Sequence, residues 1–368
     1  MTSEATPRPE NRRPSSEERG ALALGRARLS PRIVAALDAA RAGAASYVVM
    51  HHLSSPALRA TSIGIFFRFG QEAVIVFFLL SGFVIFANER DRGLNTTAYY
   101  MRRVRRIYPP LLFAMAISAI VGLLIGNFWA EFSYQSLIGT LFALQDNTDG
   151  QPGVITGPFM GNSPLWSLSY EVFFYLIFPF VLRCWRAWPA ATNHLVGAIS
   201  CLAYIAFAFS PHHLFIVTAY FLIWWCGCMT AQRYLDGVRC IRGMKALTAW
   251  LLLLCVVSLL VVYETGFRGL GVYPFLSARH FLASASLLFL FFGPIGAALA
   301  SLALRFRRAS AFLASISYGL YVLHWPILIQ SGLAGSPVGA ASGLVILFIA
   351  ARLGDSLILR PRSQQLPR

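Results

Sequence analysis

Charged side chains are scarce in this sequence, at 12% of its 368 residues, and that scarcity excludes an ordinary soluble domain, which carries about twice as much. Cysteine is sparse too. The six cysteines (Cys184, Cys201, Cys226, Cys228, Cys240 and Cys255) fall in apolar runs or beside basic segments. Neither a disulfide framework nor a Cys/His zinc spacing emerges, so no metal site is expected. Cys226 and Cys228, two apart, point to different helix faces and read as packing. No apolar stretch precedes Ile33, so a cleaved secretory leader is not expected. Internal repeats are absent, and with them the paired, broken half-helices of many transporters.

What remains is apolar: 57% of residues are hydrophobic and mean hydropathy is +0.61. The apolar residues come in runs of the length that crosses a bilayer as a helix, about 20 residues. Ten such spans are expected, at 33–52, 72–88, 109–128, 164–182, 194–209, 213–231, 246–263, 280–302, 311–331 and 337–358. The predicted fold class is all-α, a polytopic membrane protein with both termini cytoplasmic. Residues 1–30, rich in Pro, Arg, Ser and Glu, read as a disordered cytoplasmic tail ahead of a transmembrane domain over 31–368.

Sidedness supports the count. With ten crossings, only Arg59, Arg68, Arg268 and Arg279 fall on one side and Arg41 inside a span, while the other 26 of the 31 basic residues share the opposite side. A bias of that kind marks the cytoplasmic face. The formal charge of +16 therefore reflects arginines that flank membrane helices and meet anionic headgroups, and gives no reason to expect nucleic acid.

Ionisable residues inside the spans carry the functional signal, since each costs at least ~2.5 kcal/mol at a helix centre. In the first span, Asp38, Arg41 and His52 share one helix face. Arg41 and His52 are eleven residues apart, about 16 Å along the axis. Asp38 can pair with Arg41 at i,i+3. His51 is turned about 100° from His52 and is read as a bystander. His194, His212, His213 and His280, at helix starts and in a short turn, are read as interfacial. A structural Asp–Arg pair with an edge histidine would explain the first span equally well.

Five motifs in order change that balance. Leu37-Asp38 with Arg41 and, after ten intervening residues, His52 resembles the opening motif of acyltransferase family 3, membrane proteins that O-acylate surface polysaccharides and other glycans. Gly70-Gln71-Glu72-Ala73-Val74 leading to Phe77-Phe78-Leu79-Leu80-Ser81-Gly82-Phe83 is similar to the family's second-helix signature. Arg102-Arg103-Val104-Arg105-Arg106-Ile107-Tyr108-Pro109 resembles its basic run, and Pro164-Leu165-Trp166-Ser167-Leu168-Ser169-Tyr170-Glu171 with Phe173-Phe174-Tyr175 its fourth-span signature. Ser315-Ile316-Ser317-Tyr318-Gly319-Leu320-Tyr321 with His324-Trp325-Pro326 resembles the late motif. The Tyr-Glu-x-Phe-Phe-Tyr form is most similar to the exopolysaccharide O-acetyltransferase branch. Three departures stand out. Val172 occupies a position where many members carry a second acid, Leu359 replaces the closing Glu before Pro361, and no appended hydrolase-like domain is expected.

The resemblance implies an acyltransferase in a bacterial inner membrane, with acyl-coenzyme A (acetyl-coenzyme A by default) as donor substrate, a carbohydrate acceptor and no permanently bound cofactor. Acyl transfer from a thioester to an alcohol needs a base for the hydroxyl proton and a donor site. Histidine suits the first task, its unperturbed pKa being near ~6.5, and His52 is the expected general base. Glu171 is expected to orient His52 or hold the acceptor hydroxyl, and His324 is the third catalytic candidate. Arg102, Arg103, Arg105 and Arg106 suit the donor's phosphates, which guanidinium groups grip bidentately. Arg41 lies on the path between them. The same arginines would also serve as plain cytoplasmic flanking charge. A saccharide or lipid transporter is the alternative, and loss of coenzyme A binding would favour it.

Overall fold

The computed structural model describes residues 29–54, 58, 61–92 and 95–357, the last three of these in backbone only. Most of the expected tail and the Leu359–Pro361 segment lie outside the described residues. Ten helices are long and apolar enough to cross a membrane, and among the described residues the only β-structure is one isolated bridge, Gln145 to Thr156. The helices are α1 Pro31–Leu53, α2 Gly70–Glu89, α3 Thr96–Leu124, α4 Trp166–Ala187 and α5 Pro189–Phe209. They continue as α6 His213–Leu235, α7 Lys245–Thr265, α8 Phe275–Phe292, α9 Arg307–His324 and α10 Pro337–Leu357.

Local chemistry sets the boundaries. Ser30 caps α1, its hydroxyl accepting from Ile33 N, and Pro31 opens the first turn where a missing N–H costs nothing. Asn95 caps α3 through Ala98 N at 2.9 Å, so this helix begins thirteen residues before the expected 109. Pro109 and Pro110 lie inside it. The arginine run is therefore helical and rises with α3 into the bundle; it is not a loop ahead of the span. The eighth span also differs from expectation. Helix α8 starts at Phe275 because Arg279, which looked like a boundary charge, is paired with Glu72 at 2.6 Å. The apolar run then breaks at Gly293-Pro294, where extended backbone and a proline start a separate short helix, Pro294–Arg305.

Residues expected on the same side of the bilayer meet one another. At one end of the bundle Arg90 meets Asp236 at 3.2 Å, Arg186 donates to the carbonyls of Arg90 and Arg92, and Ser30 bonds Tyr234. We call this the basic end. At the opposite end the long 125–165 connection closes over the helices. Its Asp146 binds Tyr170 and His213, and the carbonyl of Gly150 accepts from Tyr273 N.

Helix α6 is the hub, with 83% of its apolar window buried against 28% for the last helix. It packs backbone to backbone on α2. A Cβ at Gly82 would collide with the carbonyl of Trp224, and one at Gly227 with that of Leu79. Small residues at such a crossing let membrane helices approach closely. Cys226 and Cys228 are fully buried beside this seam, as packing.

Candidate active site

Two adjoining features form the site: a polar cavity at mid-height and a pair of histidines beyond it. Arg41 and Arg106 each lie ten residues into α1 and α3 from the basic end, which at 1.5 Å per residue is about 15 Å. Glu171 descends from the opposite end on the second turn of α4. Together with Arg103, Ser81, Tyr175 and Tyr318 they line a cavity of ≈ 70 Å³. Tyr321, on α9, also lines it, and its hydroxyl is fixed by the Pro164 carbonyl at 2.6 Å and by Ser167 at 2.8 Å.

Past Tyr321 is the second feature. The rings of Tyr321 and His324 are 6.2 Å apart, and His324 and His52 are 5.1 Å apart between centroids. Trp325 stands edge-on to His52 at 5.1 Å. The structure thus brings His52 and His324 together and puts Arg41 on the cavity side of the same helix. His51 stands edge-on to His52, ring centroids 4.9 Å apart, and is held from its other side. Its Nδ1 meets the Phe67 carbonyl at 2.5 Å and its ring covers Gly70, where a Cβ would not fit.

Glu171 is at the cavity. Its carboxylate accepts from Ser81 at 2.8 Å and from the Tyr175 hydroxyl, and it acts on Arg41 through the electrostatic field. Asp38 and Arg41 also feel each other's charge, yet they do not close to an ion pair.

The arginine run divides by helix face. Arg103 and Arg106, three apart, line the cavity. Arg102 turns to Glu89, a buried carboxylate at the end of α2, with contacts of 2.7 and 2.9 Å. Arg103 shares that carboxylate at 3.2 Å and stacks over Tyr99 and Tyr175. Arg105 is exposed and does not line the cavity. Three cations against one carboxylate leave the cavity electropositive, a setting for an anionic ligand. No group of three or more metal-ligating side chains gathers among the described residues.

Comparison with known proteins then fixes the family. The model of acyltransferase family 3, described as an acyltransferase domain, matches residues 34–354. The chain belongs to acyltransferase family 3. Among curated relatives of this family 3 chain, Acyltransferase MdmB of Streptomyces mycarofaciens is 32% identical over 155 residues, covering 38% of this chain and 37% of that protein. Nodulation protein 10 of Rhizobium leguminosarum bv. viciae is 28% identical over 144 residues, covering 36% and 39%. O-acetyltransferase OatA of Staphylococcus aureus is 26% identical over 159 residues, covering 42% and 25%. Each match therefore spans well under half of either protein. No solved structure matches.

Four side chains of the family 3 chain escaped sequence reasoning. Glu89 is the anchor for Arg102 and Arg103; an acid ending an apolar helix thirteen residues before a basic run was the available signal. Ser81 and Tyr175 stood in the motifs without a role, and the fold makes them the partners of Glu171. His213, read as interfacial, is buried and bonds Asp146 at 3.0 Å.

Proposed function

We propose that this family 3 chain is a membrane O-acyltransferase that takes an acyl group, acetyl by default, from acyl-coenzyme A. It places that group on a hydroxyl of a surface polysaccharide or other glycan, with His52 as general base. The observation that carries the reading is the sequence of features along one line: an electropositive cavity, Tyr321, then the His52–His324 pair. The names of the relatives MdmB and OatA, an acyltransferase and an O-acetyltransferase, support the reaction class.

In this reading the basic end is cytoplasmic. Arg106 and Arg103 meet the donor's phosphates there, and Arg41 and Glu171 flank the pantetheine arm as it runs inward. The cavity is smaller than that arm, so donor entry displaces lining side chains. The thioester carbonyl arrives beside His52, and the acceptor hydroxyl comes from the other end. His52 removes the hydroxyl proton as oxygen attacks the carbonyl carbon. The carbon–sulfur bond then breaks, and the thiolate takes the proton back from His52. The chain binds the bilayer and both substrates, and holds no permanent cofactor.

The test is acyl transfer by purified variants in lipid. His52→Ala should lose a factor of about 10²–10⁴ in rate with coenzyme A affinity retained. His51→Ala, whose partner is the Phe67 carbonyl, should cost little rate. Equal losses for the two variants would refute the assignment of the base. Mass spectrometry of surface glycans from a deletion strain names the acceptor and the acyl chain.

A further inference from the structure

His324 closes α9 where the helix widens into a π-turn, Trp325–Gln330. The cause is Pro326. It has no N–H to give the carbonyl four residues back, and its ring crowds that carbonyl. The freed carbonyl belongs to Val322, and the side-chain amide of Asn162, from the 125–165 connection, donates to it at 3.0 Å. This repair holds the end of α9 in place, with the His324 ring fully buried.

Two carbonyls decide the state of that ring. His324 Nδ1 lies 2.8 Å from the carbonyl of Tyr321 and 3.2 Å from that of Leu320. Carbonyl oxygens only accept, so Nδ1 carries the hydrogen and Nε2 of the neutral ring carries a lone pair. Nε2 is buried and has no hydrogen-bond partner. A buried acceptor left unmade is costly, so a donor is called for. The neighbouring ring is His52. A linear N–H···N bond of ~2.9 Å, with ~1.1 Å from each centroid to its nitrogen, puts bonded imidazoles roughly 5 Å apart. The observed separation is 5.1 Å with the ring planes tilted by 32°; the bond is not made in this structure, and a small turn of the rings would close it.

We propose that His324 is the positioning residue for His52: with a small turn of the rings its Nε2 accepts the N–H of His52 and so fixes which His52 nitrogen holds the lone pair. The proposal rests on the reading of His52 as base and assigns the partner that the base requires. The part resembles that of the buried acid in hydrolase triads, which sets tautomer and orientation without taking the proton. When the acceptor's hydroxyl proton moves to the outward nitrogen of His52, that ring becomes an imidazolium with two N–H groups. One of them is held by His324 and the other is returned to the departing thiolate. His324 keeps its own proton on Nδ1 throughout. A neutral acceptor suits this depth, where an unpaired carboxylate is expensive to hold. The acid expected for the task, Glu171, is engaged by Ser81 and Tyr175.

The experiment is ¹⁵N NMR of histidine-labelled protein in lipid, with His52 assigned by its loss in His52→Asn, alongside kinetics of two variants. His324→Leu removes the acceptor, whereas His324→Gln keeps a polar amide near the place of Nε2. In the unsubstituted protein His52 should show a single tautomer and His324 an Nδ1–H. His324→Leu should give mixed His52 tautomers and a kcat loss of about 10²–10⁴-fold, with the donor KM within about twofold. His324→Gln should recover at least about tenfold of that loss. A single, unchanged His52 tautomer in a folded His324→Leu protein would overturn the proposal. So would an Nε2–H on His324 in the unsubstituted protein, a result that needs no variant to fold. The NMR outcome does not depend on His52 being the base, so a failure of that reading appears separately, as activity surviving in His52→Ala.

Discussion

The division of the arginine run by helix face can be tested one residue at a time. Sequence alone treats Arg102, Arg103, Arg105 and Arg106 as one phosphate grip, and removing all four would test nothing finer. In the structure, only Arg103 and Arg106 line the cavity, Arg102 is bound to Glu89 and Arg105 is exposed. A charge-assisted contact is worth ~1.5–3 kcal/mol, which at 1.4 kcal/mol per tenfold weakens coenzyme A binding by about 10- to 150-fold in Arg106→Gln. Arg105→Gln should weaken it by no more than about fivefold, since an exposed charge away from the cavity gives at most ~1 kcal/mol. Arg102→Gln should separate the two properties. Glu89 loses contacts at 2.7 and 2.9 Å, keeping Arg103 at 3.2 Å and Arg92 at 3.6 Å. Because Arg102 is itself about a quarter exposed, the expected loss of stability is at the lower end of the ~1–3 kcal/mol range. Donor affinity should barely move. Calorimetric titration of coenzyme A into protein in nanodiscs, with thermal unfolding of the same samples, reads both quantities. Equal weakening by Arg105→Gln and Arg106→Gln would refute the division by face and return the run to a diffuse basic flank.

The other predictions concern sidedness and the far end of the molecule. With Cys184 and Cys240 changed to serine, the remaining cysteines are buried. A membrane-impermeant thiol reagent should then label Thr148→Cys in intact cells and Arg242→Cys only after permeabilisation; the reverse would invert the orientation and the donor route with it. Asp146 is 1% exposed and holds Tyr170 at 2.9 Å and His213 at 3.0 Å. Asp146→Asn should therefore cost about 1.5–3 kcal/mol in thermal unfolding. Adding His213→Ala should cost less than the sum of the single changes, because the two share one bond; strict additivity would show that they do not.

Much of the fold was legible because a bilayer imposes a simple grammar. Run length gave ten spans and arginine placement gave their alternation, and the contacts of Arg90 with Asp236 and of Gly150 with Tyr273 agree with that alternation. The misplaced edges have a common cause. Hydropathy treats a charge as a boundary, but Arg279 stays within a helix when Glu72 neutralises it, and Arg102 and Arg103 rise into the bundle when Glu89 does. Hydropathy also reads across Gly293-Pro294, where the backbone turns. Within the site, periodicity placed Arg41 and His52 on one face of α1. It could not tell which distant side chain would reach either, since Ser81, Tyr175 and Glu89 belong to the site only through packing between helices. His324 was a candidate from its motif; that its hydrogen sits on Nδ1 follows from two carbonyls whose positions no sequence pattern records.

The glycine seam between α2 and α6 bears on how the molecule can move. At Gly82 and Gly227 the two backbones touch with no side chain between them. A sliding displacement would drive the next side chain of one rod into the other's main chain, so the pair behaves as a fixed post. Compliance has to come from elements without such a lock. Arg106, exposed and three residues beyond the Glu89-anchored Arg103, is one such element. The fixed pair leaves adjustment to an entering ligand to side chains such as this one, not to movement of α2 against α6.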